Sequence, residues 1–288
     1  MAVLITGGSG FIGTKLIEFL AEKEDIVCLS RKKPKIDIPF IQGSFDRPED
    51  LLQINKYKIT ALIHLAAVTG GCSEEEGLSV NVLGLRRLVR YLMEQHKCKK
   101  YIIASSIAAV GCLSNDFLPQ HFPIMDDHIC LAKDAYGLSK SLAEDITEYF
   151  NRVDPETDFI NLRLGAVCPD ETYDPEPLEL TGLAECPITQ LTRVLASDVV
   201  NAFYKALTAA LHPGVRIYNV AGPDISCDVS TVEALYTVYG KEIMDRYDLS
   251  YYMKSGNECK PLFGMNKIKK ELAYEPVQTT MPLKGQNR

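Results

Sequence analysis

The chain has 288 residues, 46% hydrophobic and 24% charged, which is enough for one large domain or two closely joined ones. Its net charge of −7 argues against a nucleic-acid partner, because phosphate binding usually needs a positive patch. No apolar run approaches the roughly 18 residues of a membrane span, and the first residues lack a signal-peptide pattern. The nine cysteines are scattered, with no C-x-x-C pair, which is typical of reduced thiols in a cytoplasmic protein.

Short β-rich runs alternate with helical patterns in the first half of the chain. Strands are predicted at 2–6, 26–29, 40–42, 61–65 and 100–104, and helices at 11–20 and 80–93. Several strands are continuous apolar runs, as expected for parallel strands that are covered on both faces. The alternation predicts an α/β fold with a doubly wound parallel sheet.

The second half of the chain continues this pattern and then loses it. A helix is predicted at 136–150, a strand at 159–164, a helix at 197–207 and a late strand at 216–220. Residues 169–190 have little periodicity, which indicates an irregular segment. From Asp224 onward the sequence mixes short helices with loops.

A glycine-rich turn joins the first predicted strand to the first helix, with the sequence G-G-S-G-F-I-G at 7–13. The first glycine allows a tight turn, the second lets the backbone approach a pyrophosphate, and the third permits close helix packing. The helix amides and dipole then favour the phosphates. This context predicts a dinucleotide site of the Rossmann type, with five cofactor-binding residues at Gly7, Gly10, Phe11, Ile12 and Gly13.

The end of the second strand bears on the choice of cofactor. A carboxylate at this position commonly binds the ribose 2′-hydroxyl of NAD, whereas an arginine suits the 2′-phosphate of NADP. Here the strand leads into Ser30, Arg31 and Lys32, and Asp25 lies at the opposite end of the strand. These three residues are therefore predicted to bind NADP, with NAD as the alternative cofactor and a solvated basic turn as the alternative structure.

Three residues form a candidate catalytic site. Ser106 follows the fifth predicted strand, and Tyr136 and Lys140 lie one helical turn apart on a shared face. A nearby ammonium and an oxidised nicotinamide could lower the phenol pKa by roughly one to three units. Tyr136 would then exchange a proton with a substrate hydroxyl or carbonyl as hydride moves, and Ser106 could hydrogen-bond the same oxygen.

Together these motifs resemble the extended short-chain dehydrogenase/reductase superfamily, specifically the NAD-dependent epimerase/dehydratase family. The resemblance spans nearly the whole chain. It rests on nine segments: T-G-G-S-G-F-I-G at 6–13, H-L-A-A at 64–67, Asn81 with Gly84, S-S at 105–106, Y-G-L-S-K at 136–140, L-R-L-G at 162–165, S-D-V-V at 197–200, Y-N-V-A-G-P at 218–223 and L-A-Y-E-P at 272–276.

The resemblance implies roles for particular residues. Tyr136 would be the acid/base, Lys140 would hold the nicotinamide ribose and tune Tyr136, and Ser106 would orient the substrate oxygen. Three residues after the fourth strand would line the cofactor, namely Leu65, Ala66 and Ala67. A Rossmann domain would comprise 1–168 and 196–222, with a smaller substrate-binding lobe at 169–195 and 223–288. The resemblance also implies a homodimer, formed through the helices at 80–93 and 136–150.

Departures from the family pattern limit the reactions that this chain is expected to catalyse. In the family's 4,6-dehydratases an Asp-Glu pair follows the serine or threonine, whereas Ile107 and Ala108 follow Ser106 here, which argues against dehydration. The segment between Pro169 and Ser197 is short for an enzyme that clamps a full sugar nucleotide.

Several other polar residues have open roles. Ser197 or Asp198 could cap the helix that follows, and His64 is interpreted as a core residue. Asn81 could support the fourth and fifth strands. Two arginines, Arg163 and Arg193, are candidate anion ligands, with a structural ion pair as the alternative for Arg163.

The sequence leaves three functional hypotheses open. The first is a reductase or dehydrogenase of a sugar nucleotide or similar polyol with exchangeable NADP(H). The second is a sugar-nucleotide 4-epimerase with tightly bound NAD. The third is a sensing or scaffold protein that binds NADP(H) without turnover.

Overall fold

A seven-stranded parallel sheet lies at the centre of the computed structural model, which describes residues 2–171, 178–183 and 185–282. Its strands, in chain order, are β1 Ala2–Thr6, β2 Ile26–Ser30, β3 Phe40–Gln42, β4 Ile59–His64, β5 Lys100–Ser106, β6 Asp158–Leu164 and β9 Gly214–Val220. The spatial order is β3-β2-β1-β4-β5-β6-β9, and all neighbouring strands pair in parallel. The predicted doubly wound α/β fold is confirmed.

Helices connect and cover these strands. They are α1 Phe11–Leu20, α2 Pro48–Leu51, α3 Glu74–Glu76, α4 Leu85–Tyr91, α5 Ala135–Val153, α6 Pro187–Gln190, α7 Ala196–Thr208, α8 Thr231–Tyr239, α9 Lys241–Met244 and α10 Asn266–Leu272. Short 3₁₀ helices occupy Leu52–Lys56 and Ile107–Val110. The π-helical segments Gly77–Gly84 and Leu92–His96 join α3 and α4 into one helical stretch over 74–96. Within the described residues, no helix is long and apolar enough to cross a membrane.

The sheet buries apolar side chains on both of its faces. Val3 and Ile5 of β1 pack with α1 and α7 on one face, whereas Leu4 packs with α4 and α5 on the other. This arrangement accounts for strands that are apolar at consecutive positions, since alternate side chains point to opposite faces and both faces are covered.

A third apolar cluster joins the segment after β5 to the C-terminal part of the chain and includes Phe117, Ile225, Leu235 and Phe263. Beside it, two short parallel strands, β7 Ala166–Cys168 and β8 Arg193–Leu195, form a separate two-stranded sheet.

The end of the described chain packs against the first half of the molecule. Ile268, Leu272 and Tyr274 are fully or almost fully buried, in the same apolar cluster as α1 and α7. The carboxylate of Asp198 near the start of α7 accepts the backbone N–H groups of Val277 and Gln278, at 2.9–3.2 Å. The C-terminal segment therefore completes the core beneath the sheet.

The segment predicted to be irregular, 169–190, lies partly outside the described residues, which omit 172–177 and 184. Its described part contains the four-residue helix α6, which the prediction lacked. The strand pair β7 and β8 was also not predicted, since each strand has only three residues.

Candidate active site

The glycine turn between β1 and α1 brings three backbone segments close together. Gly7 has φ +75°, a conformation that side chains rarely adopt, and a Cβ there would lie 2.7 Å from the backbone nitrogen of Ala66. A Cβ on Gly13 would lie 2.2 Å from the carbonyl oxygen of Gly7. Gly13 thus permits the close packing of α1 that the sequence predicts. Gly7 permits a close approach of the turn to the residues after β4, which the sequence did not predict.

The N-terminus of α1 has no side chain that accepts its first backbone N–H groups. Gly10 is the N-cap, no side chain caps this helix, and its first turn contains no acidic residue. Gly10 and Phe11 are exposed, and Ile12 is half-buried. Free amides and a positive dipole end are the features that bind a pyrophosphate, so these residues fit the dinucleotide that the sequence predicts.

The residues that follow β4 lie beside this turn. The backbone N–H of Leu65 donates to the carbonyl oxygen of Thr6 at 3.2 Å, and Leu65, Ala66 and Ala67 are all half-buried. They form a second wall of the predicted cofactor site.

The end of β2 presents positive charge. Arg31 and Lys32 are exposed, whereas Lys33 forms an ion pair with Asp37 at 3.1 Å. The Ser30 hydroxyl is buried and donates to the carbonyl oxygen of Lys32 at 2.7 Å. Ser30 therefore shapes the turn that carries the two exposed cations, Arg31 and Lys32.

Ser106, Tyr136 and Lys140 come together at the carboxyl end of β5. The Ser106 hydroxyl lies close enough to the Tyr136 phenol to lower its pKa and accepts the backbone N–H of Ala108 at 3.1 Å. The Lys140 Nζ lies 5.5 Å from the centre of the Tyr136 ring. Lys140 is buried, and its Nζ donates to the carbonyl oxygen of Ala104 at 2.7 Å. Asp134 caps α5 by accepting the backbone N–H of Gly137 at 2.8 Å, which fixes the start of the helix that carries Tyr136 and Lys140.

Burial dominates the protonation of these groups. It raises the pKa of Tyr136 to about 12, although the nearby Ser106 hydroxyl opposes this change. Burial also lowers the pKa of Lys140 to about 8, opposed by the negative charge of Glu144. The protein's own groups therefore keep Tyr136 a phenol at neutral pH, and the lowering expected from the sequence requires the positive charge of an oxidised nicotinamide.

Two polar residues near the site have structural roles. The buried His64 shares a 2.8 Å hydrogen bond with the Thr6 hydroxyl, and burial lowers its pKa to about 3, so it is neutral. Asn81 exchanges two hydrogen bonds with the backbone of Val68 at 2.8–2.9 Å and donates to the Ser139 hydroxyl at 2.9 Å. Asn81 thus ties the loop after β4 to α5, rather than bracing β5.

The structure bears on two of the open assignments: it shows the ion pair that was one alternative for Arg163, and it contradicts a capping role for Ser197 or Asp198. Arg163 is 2% exposed and forms a two-pronged ion pair with Glu144, so its guanidinium does not face a ligand site. Neither Ser197 nor Asp198 caps α7. The Asp198 carboxylate instead binds the C-terminal segment. The backbone N–H of Ser197, at the start of the helix, donates to Asp170 at 3.1 Å.

Two further positions bear on the substrate side of the site. Arg193 is half-buried on β8 and lies near the Cys168 thiol, whose pKa burial raises and Arg193 lowers. Residues Ile107–Val110 after Ser106 are apolar and buried, so they supply no group for elimination chemistry.

The parallel sheet, the glycine turn and the Tyr-Lys pair together define a protein of the short-chain dehydrogenase/reductase class. More specifically, the chain belongs to the NAD-dependent epimerase/dehydratase family, whose model matches residues 3–184. The family and the enzyme class predicted from the sequence are confirmed.

Curated relatives are distant and chemically varied. The chain is 25% identical over 184 residues to a bifunctional UDP-glucose 4-epimerase and UDP-xylose 4-epimerase of Pisum sativum, a match that covers 56% of this chain and 51% of that enzyme. It is 24% identical over 280 residues to a D-erythronate dehydrogenase of Haemophilus influenzae, with 87% of this chain and 86% of the relative covered. The match thus spans about half of the pea epimerase and most of the dehydrogenase.

Solved structures share the fold over nearly the whole chain. A short-chain dehydrogenase/reductase superfamily protein from Agrobacterium tumefaciens with bound NAD has a TM-score of 0.71 at 16% identity, covering 97% of this chain and 94% of that one. The UDP-glucose 4-epimerase of Thermotoga maritima has a TM-score of 0.67 at 20% identity, covering 97% and 94%. At these identities the likeness establishes the fold.

Proposed function

We propose that this protein is an NAD(P)-dependent dehydrogenase or reductase that acts on a hydroxyl or keto group of a sugar nucleotide or a smaller polyhydroxylated substrate. The observation that carries the proposal is the convergence of Ser106, Tyr136 and Lys140 at the carboxyl end of β5, the edge where the β1–α1 glycine turn also lies. Ligands of open α/β sheets bind at this edge.

The proposed roles follow from the contacts. The nicotinamide supplies or accepts the hydride when it is bound. Tyr136 donates a proton to the substrate oxygen during reduction, or removes it during oxidation. Ser106, which lies beside the Tyr136 phenol, orients the same oxygen. Lys140 places positive charge beneath the phenol ring and favours the phenolate once the cationic nicotinamide is present.

For the cofactor we propose NADP(H), with NAD as the alternative. Arg31 and Lys32 are exposed at the end of β2, where a 2′-phosphate would lie. The test is to denature the purified protein, identify any released nucleotide, and titrate NADPH and NADH into the same preparation. Weak, exchangeable binding that prefers NADPH supports the proposal, whereas stoichiometric NAD that does not exchange refutes it.

A sugar-nucleotide 4-epimerase is the second candidate. The epimerase relatives favour it, but the sequence match spans about half of the pea enzyme, whereas the D-erythronate dehydrogenase matches over 86% of its length. The direct comparison is to incubate the protein with UDP-glucose and, separately, with D-erythronate and NAD(P)⁺. Cofactor reduction with D-erythronate favours the dehydrogenase, and C4 inversion of UDP-glucose without net reduction favours the epimerase.

Replacement of Tyr136 by Phe tests the acid/base and the non-catalytic alternative together. We expect Tyr136→Phe to retain nucleotide binding and to lose at least about a hundredfold in turnover, since general acid–base groups contribute factors of that order. Tyr149→Phe is the matched control, because Tyr149 is an exposed residue on the same helix. Full turnover by Tyr136→Phe would refute the assignment, and a wild-type protein that binds NADP(H) without turning over either substrate would favour the sensing or scaffold alternative.

We also propose a homodimer in the cytoplasm. Apolar side chains are exposed on the helical stretch 74–96 and on α5, the pair of helices that the resemblance implicates: Leu78, Leu83 and Val153. None of the nine cysteines forms a disulfide, which suits a reducing compartment. Light scattering on the purified protein tests the dimer, and a monomer at micromolar concentration would refute it.

A further inference from the structure

A buried ion pair between Glu144 and Arg163 joins α5 to β6, one helical turn beyond Lys140. Arg163 Nε donates to Glu144 Oε1 at 2.9 Å, and an Arg163 terminal nitrogen donates to Oε2 at 2.8 Å. The other terminal nitrogen of Arg163 donates to the carbonyl oxygens of Asp126 and His128, both at 3.2 Å. Glu144 is 4% exposed and Arg163 is 2% exposed. The pair therefore lies in the interior, with its geometry fixed by several hydrogen bonds.

Glu144 is connected both to the helix that carries Tyr136 and Lys140 and to the strand that carries Ser106. Tyr136, Lys140 and Glu144 are spaced four residues apart on α5, so the three side chains follow one face of the helix. The Ser105 hydroxyl donates to Glu144 Oε1 at 2.6 Å, and Ser105 immediately precedes Ser106. Glu144 therefore links the helix of Tyr136 and Lys140 to the strand of Ser106.

The strand register strengthens this link. Ser105 pairs with Arg163 across β5 and β6, so both donors to Glu144 Oε1 come from directly opposed residues. A movement of α5 along β5 would break both hydrogen bonds to the same oxygen. The two hydrogen bonds to Glu144 therefore fix the position of α5 along β5 and β6.

Charges around Lys140 come from several elements. On α5, Glu144 favours the ammonium electrostatically. On β4, His64 is neutral at ordinary pH, and on the loop after β4 the Cys72 thiol lies near Tyr136, with Asp134 before α5. The Cys130 thiol lies 3.8 Å from Glu144 Oε2, and Asp126 acts on Arg163. Glu144 is the anion in this set that acts on Lys140.

We infer that Glu144, held by Arg163 and Ser105, is a positioning residue for Lys140, which fixes α5 against β5 and places a carboxylate one helical turn beyond the lysine. This inference rests on the proposed function of Tyr136 and Lys140. A buried ion pair by itself is weak support for stability, because well-packed apolar residues often replace one without loss. The hydrogen bond to Ser105 and the one-turn spacing of Glu144 from Lys140 on α5 connect this pair to the site.

The experiment measures ionisation of Tyr136 directly. Wild-type protein and Tyr136→Phe are saturated with NADP⁺ or NAD⁺, whichever binds, and the ultraviolet absorbance of tyrosinate is followed against pH. The difference between the two curves isolates Tyr136 from the other tyrosines. The same difference is then measured in the Glu144→Gln background. The matched control is Glu148→Gln, which removes an exposed carboxylate one turn further along α5.

We expect Glu144→Gln to raise the pH of Tyr136 ionisation by about one unit, because a less readily charged Lys140 stabilises the phenolate less. Glu148→Gln should leave it unchanged. An unchanged or lowered ionisation pH in Glu144→Gln would overturn the inference while leaving the proposed function intact. No difference between wild type and Tyr136→Phe in the cofactor complex would overturn the role of Tyr136, and the inference with it.

A second variant separates positioning from folding. Glu144→Gln leaves the Arg163 charge buried without its partner, which is strongly destabilising. The double variant Glu144→Gln with Arg163→Met removes both charges, and we expect it to fold and to show the same upward shift of the Tyr136 ionisation pH. A folded double variant with the wild-type ionisation pH would show that the pair has only a structural role.

Discussion

Replacement of Gly13 by Ala provides a strict test of the glycine turn, because the consequences can be worked out from the contacts. The new Cβ would lie 2.2 Å from the Gly7 carbonyl oxygen and 2.7 Å from the Gly8 Cα. Both neighbours are backbone atoms, and ordinary contact begins near 3.4 Å, so α1 must move by about 1 Å. Leu16, Ile17 and Leu20 resist that movement, because they bury α1 against the sheet. Overpacking of this kind costs about 1–3 kcal/mol.

Thermal unfolding with and without nucleotide measures the effect. A cost of about 1–3 kcal/mol corresponds to a fall in Tm of roughly 2–5 °C for a chain of this size. The control is Gly10→Ala, whose Cβ would lie 3.3 Å from the Gly7 oxygen, so its Tm should change little while nucleotide affinity falls at the exposed N-cap. A Gly13→Ala protein with wild-type Tm and wild-type nucleotide affinity would refute the close packing of α1 on the turn.

Two further predictions concern charge. Lys140→Met should raise the free energy of unfolding at neutral pH by up to about 3 kcal/mol while abolishing turnover, because burial lowers the pKa of Lys140 from 10.5 to about 8 and charging it there is costly. The unfolded chain holds that proton more tightly, so the free energy of unfolding of the wild type should increase as the pH rises from about 8 to 10.5, whereas that of the variant should not. Chemical denaturation of both proteins at several pH values measures this difference. The same pH dependence in both proteins would contradict a buried charge at Lys140. Arg31→Ser should weaken NADPH binding about tenfold or more and leave NADH binding nearly unchanged, because the guanidinium would bind the 2′-phosphate. Fluorescence titration with each nucleotide measures both affinities. An equal loss of affinity for both nucleotides would show that Arg31 does not bind the 2′-phosphate.

The sheet was predictable from sequence because its strands combine a continuous apolar run with clear turn signals. The helix at 11–20 has the predicted bounds, and β5 extends past the prediction to Ser106 because Ser105 and Ser106 pair with Arg163 and Leu164 of β6. Strand β7 was not predictable, since all three of its residues are half-buried and it forms only where β8 lies beside it.

The candidate catalytic residues were predicted from the Tyr-Lys spacing together with the serine at the end of the fifth strand, whereas the groups that contact them were not predicted. Glu144 continues the four-residue spacing of Tyr136 and Lys140, and this signal could have identified it from the sequence. The partner of Arg163 required the register of β6 against β5, which no local pattern reveals. Likewise, the raised pKa of Tyr136 depends on burial in the folded site.

The packing of Ile268, Leu272 and Tyr274 against the side of the sheet that holds α1 has a consequence for biosynthesis. A ribosome releases the glycine turn and its helix first, but the apolar surface that supports them is completed only when residues near 270 have emerged. A nascent chain halted after β6 would expose Leu16, Ile160 and Leu162 to solvent along one face. We therefore expect nucleotide binding to appear late in synthesis, after the C-terminal segment has reached Asp198.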